Sequence, residues 1–169
     1  MVFGCFDTGS PIFRQERVGK GKQPFRLMKF RSMHVNAPSV ATHLASASSI
    51  TPFGSFLRKS KLDELPQLWN VFVGDMSLVG PRPLLMQYLS RYSPEQARRH
   101  EVKPGITGWA QVSGRNAISW EEKFKYDVEY VEKQSFLLDL KILWMTFINV
   151  ISRKDISAEG HATMEEFKG

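Results

Sequence analysis

The sequence predicts an α+β fold, in which a small antiparallel β-sheet packs with several amphipathic helices. Two observations predict it: extended segments joined by a turn come first along the chain, and segments with helix-capping residues and helical apolar spacing follow them. A length of 169 residues and a hydrophobic fraction of 42% suffice for one buried core but not for two. We therefore expect a single domain over residues 1–169.

A β-hairpin is predicted at residues 11–18 and 24–33. The turn between the strands, 19–22, contains two glycines, which tolerate the positive φ angles of tight hairpins. Basic residues are spread over both strands and the turn: Arg14, Arg17, Lys20, Arg26, Lys29 and Arg31. A solvated basic face and an anion-binding face both explain them, and the hairpin by itself does not decide between the two.

Two helices are predicted next, with an acidic pair between them. The first covers about residues 51–59, because threonine followed by proline is a favoured helix start. The second starts near Pro66, since proline is tolerated only in a first turn, and its apolar residues keep helical spacing until Gly74. Asp63 and Glu64 are therefore expected at a helix N-terminus.

Turns and shorter elements follow. A buried strand is predicted at 76–79, and the proline-flanked turn at 80–83 is expected to aim Arg82. Ser93 and Ser119 each precede Gln or Glu by three residues, the spacing of a capping box, and so predict two further helix starts. Three segments are predicted as connections: 37–49, 103–109 and 114–116. The last two contain glycines, where a backbone can approach a ligand closely.

The most apolar stretch, residues 136–151, is interrupted by Asp139, Lys141 and Asn149. It falls short of the roughly 20 apolar residues that span a bilayer. We favour a core helix here, and a helix lying in a membrane interface is the alternative. The first residues lack the basic start of a signal peptide.

Charge and composition exclude several classes of function. A net charge of +6 and a pI near 9.5 predict an anionic partner, which nucleic acid, a phosphorylated substrate or an acidic membrane would all satisfy. The single cysteine, Cys5, excludes an intramolecular disulfide and a four-cysteine zinc site. The four histidines have no metal-ligand spacing, and no Walker loop, dinucleotide fingerprint or serine-hydrolase elbow is present.

The pair Asp63 and Glu64 is the most informative feature for chemistry. A carboxylate can attack phosphorus when a metal and nearby cations neutralise the phosphoryl oxygens, and a neighbouring carboxylate can hold Mg²⁺. The competing interpretation is structural, with one residue as a helix cap and the other as a first-turn acid. Five cations close to turns or element ends are candidates for binding a diphosphate: Lys29, Arg31, Arg58, Arg82 and Arg115.

Several long motifs resemble those of one family. They are FRQERVG at 13–19, KFRSM at 29–33, LDELPQLWNV at 62–71, GDMSLVGPRP at 74–83 and PGITGWAQV at 104–112. Together they resemble the bacterial sugar transferases, the monotopic phosphoglycosyl transferases. The segments 114–120 and 159–164 resemble the small, single-domain branch that includes the PglC-type undecaprenyl phosphate N,N′-diacetylbacillosamine 1-phosphate transferases.

The resemblance implies a chemistry for these residues. Asp63 would be the nucleophile and Glu64 its Mg²⁺-binding partner, with both carboxylates at the metal. Phosphates would be bound by four cations: Arg58, Lys29, Arg82 and Arg115. The substrates would be a UDP-sugar and undecaprenyl phosphate, with UMP released, and nucleic acid is not an expected partner. The implied location is the cytoplasmic face of the bacterial inner membrane, and an N-acetylated deoxy sugar is the first donor to consider.

One expected departure concerns the membrane anchor. Members of the family begin with a long apolar helix that enters and leaves the membrane on one face, and this sequence is expected to lack most or all of it. Phe53, Phe56, Leu57 and the helix from Phe136 are candidates for replacing that contact. Two alternative functions remain open: a slow nucleotide-sugar hydrolase, and a non-catalytic basic module that binds lipid or nucleic acid.

Overall fold

The structure, a computed structural model, describes residues 10–35, 49–114, 118–152 and Phe167. Its main elements are β1 (Ile12–Val18), β2 (Pro24–Phe30), α1 (Pro52–Ser60), α2 (Gln67–Phe72), β3 (Ser77–Val79), α3 (Pro94–Ala97), β4 (Gly105–Thr107), α4 (Trp109–Ser113), α5 (Trp120–Lys133) and α6 (Phe136–Ser152). This mixture of helices with small sheets confirms the α+β class. Arg115, the segment 159–164 and most of the connection predicted at 37–49 lie outside the described residues.

The predicted hairpin is confirmed. β1 and β2 pair antiparallel from Ile12 opposite Phe30 to Val18 opposite Pro24, and a 3-10 turn with Gly21 at φ 61° joins them. The second strand ends at Phe30, three residues earlier than predicted. The chain turns there to a new partner, since the Ser32 carbonyl accepts from the Thr51 amide at 3.2 Å, at the start of α1.

The helices on either side of the acidic pair form as predicted, with one correction. Thr51 caps α1 by accepting from the Gly54 amide at 2.9 Å, and Gly74, at φ 91°, follows the end of α2. The acidic residues do not lie in the first turn of α2. Lys61 adopts a left-handed conformation at φ 60°, and the chain then forms a separate 3-10 turn, Leu62–Glu64, before α2 begins.

The glycine-containing segment at 103–109 was predicted as a connection, and this prediction was wrong for its central part. It contains β4, which pairs in parallel with β3. A Cβ on Gly105 would lie 2.1 Å from the Gly80 amide nitrogen, and one on Gly108 would lie 2.2 Å from the Gly80 carbonyl oxygen. These glycines therefore allow two backbones to pack closely, where we had expected an approach to a ligand.

The two predicted capping boxes are confirmed, and α6 contributes to the core along one side only, where buried Ile142 packs with Val79 and Tyr130. Ser93 caps α3 and Ser119 caps α5, each reciprocally with the residue three positions later. In α6 only Ile142 is buried among the residues described. Most of its large apolar side chains are exposed: Phe136, Leu137, Leu140, Trp144, Phe147, Ile148, Val150 and Ile151. None of the described helices is long and apolar enough to cross a membrane.

Buried Asn70 joins α2 to the hairpin. Its Nδ2 donates to the Arg26 carbonyl at 2.9 Å and to Asp75 Oδ2 at 3.2 Å, and its Oδ1 accepts from the Met28 amide at 3.0 Å. The residue is 2% exposed. Nothing in the sequence pattern singled it out, because its two partners on β2 lie more than 40 residues away along the chain.

We expect Asn70→Ala to lower the free energy of unfolding by about 2–4 kcal/mol. The change leaves the Met28 amide and the Arg26 carbonyl of β2 without their partly buried hydrogen-bond partner, and each such group costs about 1–3 kcal/mol. Urea unfolding followed by circular dichroism measures the loss. Gln23→Ala, which truncates an exposed amide side chain on the same hairpin, is the control and should change the stability by less than about 0.5 kcal/mol. Equal effects of the two substitutions would contradict the assignment.

Candidate active site

Glu64 is the point at which three parts of the chain meet. Its Oε1 accepts from Lys29 Nζ on β2 and from Arg82 Nη2 in the turn before α3, each at 2.9 Å. Burial raises the pKa of Glu64, but Arg82 and Lys29 outweigh it and hold that pKa well below its ordinary value. The carboxylate is therefore fixed in position and ionised.

Asp63 lies beside this cluster and differs from Glu64 in its contacts. No hydrogen bond to its carboxylate is present within the described part of the chain, and the residue is half-buried. Burial raises its pKa, against the opposing effect of Lys29. The Arg58 guanidinium, whose Nε donates to Ser32 Oγ at 2.7 Å, attracts Asp63 through space. Asp63 is thus a carboxylate in a cationic setting with its oxygens available for reaction.

The cations predicted to bind phosphate are not all brought together. Lys29 and Arg82 contact Glu64 directly, and Arg58 acts on Asp63 without a hydrogen bond. Arg31 is used within the hairpin: its Nε donates to the Ser10 carbonyl at 3.1 Å and its Nη2 to the Ile12 carbonyl at 3.3 Å. Its role in binding substrate stays a prediction.

Arg17 belongs to the site and was not singled out from the sequence. Burial and the neighbouring Arg82 lower its pKa to about 10, while Glu64 opposes them. The register of the hairpin shows that Arg17 and Lys29 share one face of the sheet. Lys29 lies opposite Phe13, and side chains at 13 and 17 share one face of β1, so Arg17 and Lys29 point to the same side.

The acidic pair fits a single Mg²⁺ completed by substrate. No cluster of three or more metal-ligating side chains occurs in the described residues. Mg²⁺ is commonly bound by one or two carboxylates together with substrate phosphates. Among the described residues none donates a hydrogen bond to the Asp63 carboxylate, and both cations on Glu64 contact Oε1, which leaves Oε2 for a metal.

Exposed apolar side chains surround the acidic pair. The turn that carries the carboxylates and the helices on either side of it present seven of them: Phe53, Phe56, Leu62, Leu65, Leu68, Trp69 and Phe72. We call this set the apolar rim. Leu57, which was expected to contribute to an interfacial face, is buried at 7% exposure and packs inward. The carboxylates therefore lie on a turn that also presents exposed apolar side chains, Leu62 and Leu65.

Comparison with known proteins identifies relatives of this chain. The family model for bacterial sugar transferases matches residues 1–153. An uncharacterized sugar transferase, EpsL of Bacillus subtilis, is 55% identical over 162 residues, which cover 95% of this chain and 80% of that protein.

Two further relatives have names that state a reaction. The UDP-galactose-lipid carrier transferase of Erwinia amylovora is 42% identical over 88% of this chain. The UDP-glucose:undecaprenyl-phosphate glucose-1-phosphate transferase of Xanthomonas campestris is 42% identical over 86%. The matches cover 35% and 32% of these two relatives, so the chain spans about a third of their length. The chain is a transferase and belongs to the bacterial sugar transferase family.

Proposed function

We propose that this protein transfers a sugar 1-phosphate from a UDP-sugar to undecaprenyl phosphate and releases UMP. The observation that carries the proposal is the Asp63 carboxylate, which accepts no hydrogen bond from the described residues, next to a carboxylate held by two cations and near the apolar rim. The names of the relatives from Erwinia and Xanthomonas support it, since they state a UDP-sugar donor and a lipid carrier acceptor.

The reaction has two displacements at one phosphorus atom. An Asp63 oxygen forms a bond to the sugar-linked phosphorus, and the bond from that phosphorus to UMP breaks, with UMP leaving as an anion. A phosphate oxygen of undecaprenyl phosphate then attacks the same phosphorus. The bond to Asp63 breaks, which restores the carboxylate and leaves an undecaprenyl diphosphosugar.

The surrounding residues stabilise the negative charge of these steps. Lys29 and Arg82 neutralise Glu64 and lie where a diphosphate would meet Asp63, and Arg82 is 47% exposed, so it can contact substrate. Arg58 adds positive charge that acts on Asp63. Mg²⁺ held by Asp63 and Glu64 would supply further neutralisation of the phosphoryl oxygens.

The test is the formation of product from a panel of UDP-sugars with Mg²⁺ and undecaprenyl phosphate. The panel includes UDP-galactose and UDP-glucose, which the relatives' names indicate, and an N-acetylated deoxy sugar, which the sequence resemblance indicates. We expect UMP and lipid-linked phosphosugar in equal amounts. UMP with free sugar phosphate in place of the lipid product would support the hydrolase alternative, and no turnover of any donor would contradict the proposal.

We also propose that the apolar rim rests on the cytoplasmic face of the bacterial inner membrane. Trp69 and Phe72 lie on the rim with 56% and 80% exposure, and their rings are 5.5 Å apart. A membrane there would bring the phosphate of the acceptor lipid to the same surface as Asp63.

Trp69→Ser with Phe72→Ser is expected to weaken binding to vesicles containing anionic lipid at least about 10-fold, because two aromatic rings lose their apolar contact. Co-sedimentation measures the change. Trp144→Ser with Phe147→Ser on α6 is the matched comparison, since these rings are also exposed and lie 5.8 Å apart. An equal loss from both pairs, or a loss from the α6 pair alone, would contradict docking by the rim.

A further inference from the structure

A buried ion pair lies outside the acidic site. Arg99 and Asp127 are 3% and 4% exposed. Arg99 Nε and Nη2 approach Asp127 Oδ2 at 2.9 Å and 2.8 Å. Such a pair is weak evidence for stability, because well-packed apolar residues of similar volume commonly stabilise a core as well or better. Unlike an apolar side chain, the Arg99 guanidinium can also donate hydrogen bonds to other groups.

Arg99 makes two further hydrogen bonds besides those to Asp127. Nη1 donates to Tyr92 Oη at 3.2 Å, and Nη2 donates to the backbone carbonyl of Arg82 at 2.7 Å. The guanidinium is also held between rings, 5.3 Å from the centroid of Phe124. Asp127 and the aromatic rings hold the Arg99 guanidinium in position. The guanidinium in turn holds the Arg82 carbonyl oxygen.

That turn depends on contacts from outside it. Pro81 and Pro83 have no amide hydrogen, so the residues on either side of Arg82 cannot donate backbone hydrogen bonds within the turn. The Pro81 carbonyl accepts from the Gly105 amide at 3.0 Å, and the Leu84 carbonyl accepts from the Val18 amide at 3.0 Å. The Arg82 carbonyl between them is held by the Arg99 side chain.

We propose that Arg99, oriented by Asp127, is a positioning residue that sets where the Arg82 side chain meets Glu64. The connection is continuous: Asp127 holds Arg99, Arg99 holds the Arg82 carbonyl, and Arg82 Nη2 donates to Glu64 Oε1 at 2.9 Å. Arg99 does not itself touch the acidic pair. The inference rests on the proposed function, because it assigns Arg99 a role in the same phosphoryl transfer.

The test replaces the whole pair, since removing one partner would leave a buried charge and disrupt folding. Arg99→Met with Asp127→Leu removes both charges and fills their place with apolar side chains. We expect a melting temperature close to that of the wild type and a kcat lower by about 10–100-fold, the loss typical of residues that orient a catalytic group. Arg98→Gln with Glu132→Gln is the control: this neighbouring surface pair is also 2.8 Å apart and should leave kcat unchanged.

A purely structural role is distinguished by a double-mutant cycle with Arg82→Lys. If Arg99 acts through Arg82, replacing the pair in the Arg82→Lys background should lower kcat by less than about 3-fold further. If replacing the pair lowers kcat as much in the Arg82→Lys background as in the wild type, the inference is overturned. An unchanged kcat in the pair variant would also overturn it.

A second measurement does not depend on turnover. The Nε–H signal of Arg82 in the proton–nitrogen NMR spectrum should be sharp in the wild type and in the Arg98/Glu132 control, because the guanidinium is held against Glu64. It should broaden or disappear when Arg99 and Asp127 are replaced, and a sharp, unshifted signal in that variant would overturn the inference. An inactive wild type would refute the proposed function separately, while this signal still decides the role of Arg99.

Discussion

Asp63→Asn is expected to reduce UMP release at least about 1,000-fold, because an amide of the same shape cannot form the bond to phosphorus. The substitution should leave the fold intact. The Asp63 carboxylate has no hydrogen bond within the described residues, and burial already disfavours its charge. We therefore expect the free energy of unfolding to change by no more than about 0.5 kcal/mol. UMP release in the presence of Mg²⁺ and undecaprenyl phosphate measures the activity.

Mass spectrometry of the intact protein makes this prediction specific to the nucleophile. Incubation of the wild type with UDP-sugar and no lipid should add the mass of one phosphosugar, and Asp63→Asn should show no addition. Glu16→Gln is the control, since it makes the same carboxylate-to-amide change at an exposed position of β1. Unchanged UMP release from Asp63→Asn, or a phosphosugar adduct on it, would refute the assignment.

Glu64→Gln is expected to lower both activity and stability. Activity should fall about 100–1,000-fold, the loss typical of removing one preorganised charged group from an active site. Stability should also fall, because Lys29 and Arg82 would face each other without the carboxylate that now accepts from both at 2.9 Å. We expect a loss of about 1–3 kcal/mol at pH 7, the cost of leaving partly buried charged groups without their partner.

The stability difference between wild type and Glu64→Gln should depend on pH. The folded-state pKa of Glu64 lies below its ordinary value of 4.5, so its contribution is present above pH 4.5 and is lost as the pH falls below that value. Denaturant unfolding at pH 7 and at pH 3 measures the change. Glu95→Gln, which removes an exposed partner of Arg98, should cost less than about 1 kcal/mol. A difference that widens toward acid pH would contradict the sign of this shift.

Sequence reasoning was sufficient where structure depends on near neighbours. The turn of the hairpin, the start of α1 at Thr51, and the capping boxes at Ser93 and Ser119 were all predicted, because each rests on contacts within four residues along the chain. It failed for β4, which has no local signal of its own. Three residues form this strand only because β3 offers it a partner, and Gly80 lies too close for any side chain at 105.

The acidic pair was predicted from the sequence as the reacting site, and the family was recognised through motifs that keep their order along the chain. What only the tertiary structure decided is which side chains meet that pair. Glu64 contacts Lys29, which is 35 residues away along the chain, and Arg82, which is 18 residues away. Arg31, only two positions beyond Lys29, instead donates to backbone carbonyls at the start of the hairpin. The physical reason is that a cap or a turn is stabilised by contacts within a few residues. The meeting of distant charges is set by strand register, by packing and by anchors such as Asn70 and Arg99, none of which a linear pattern contains.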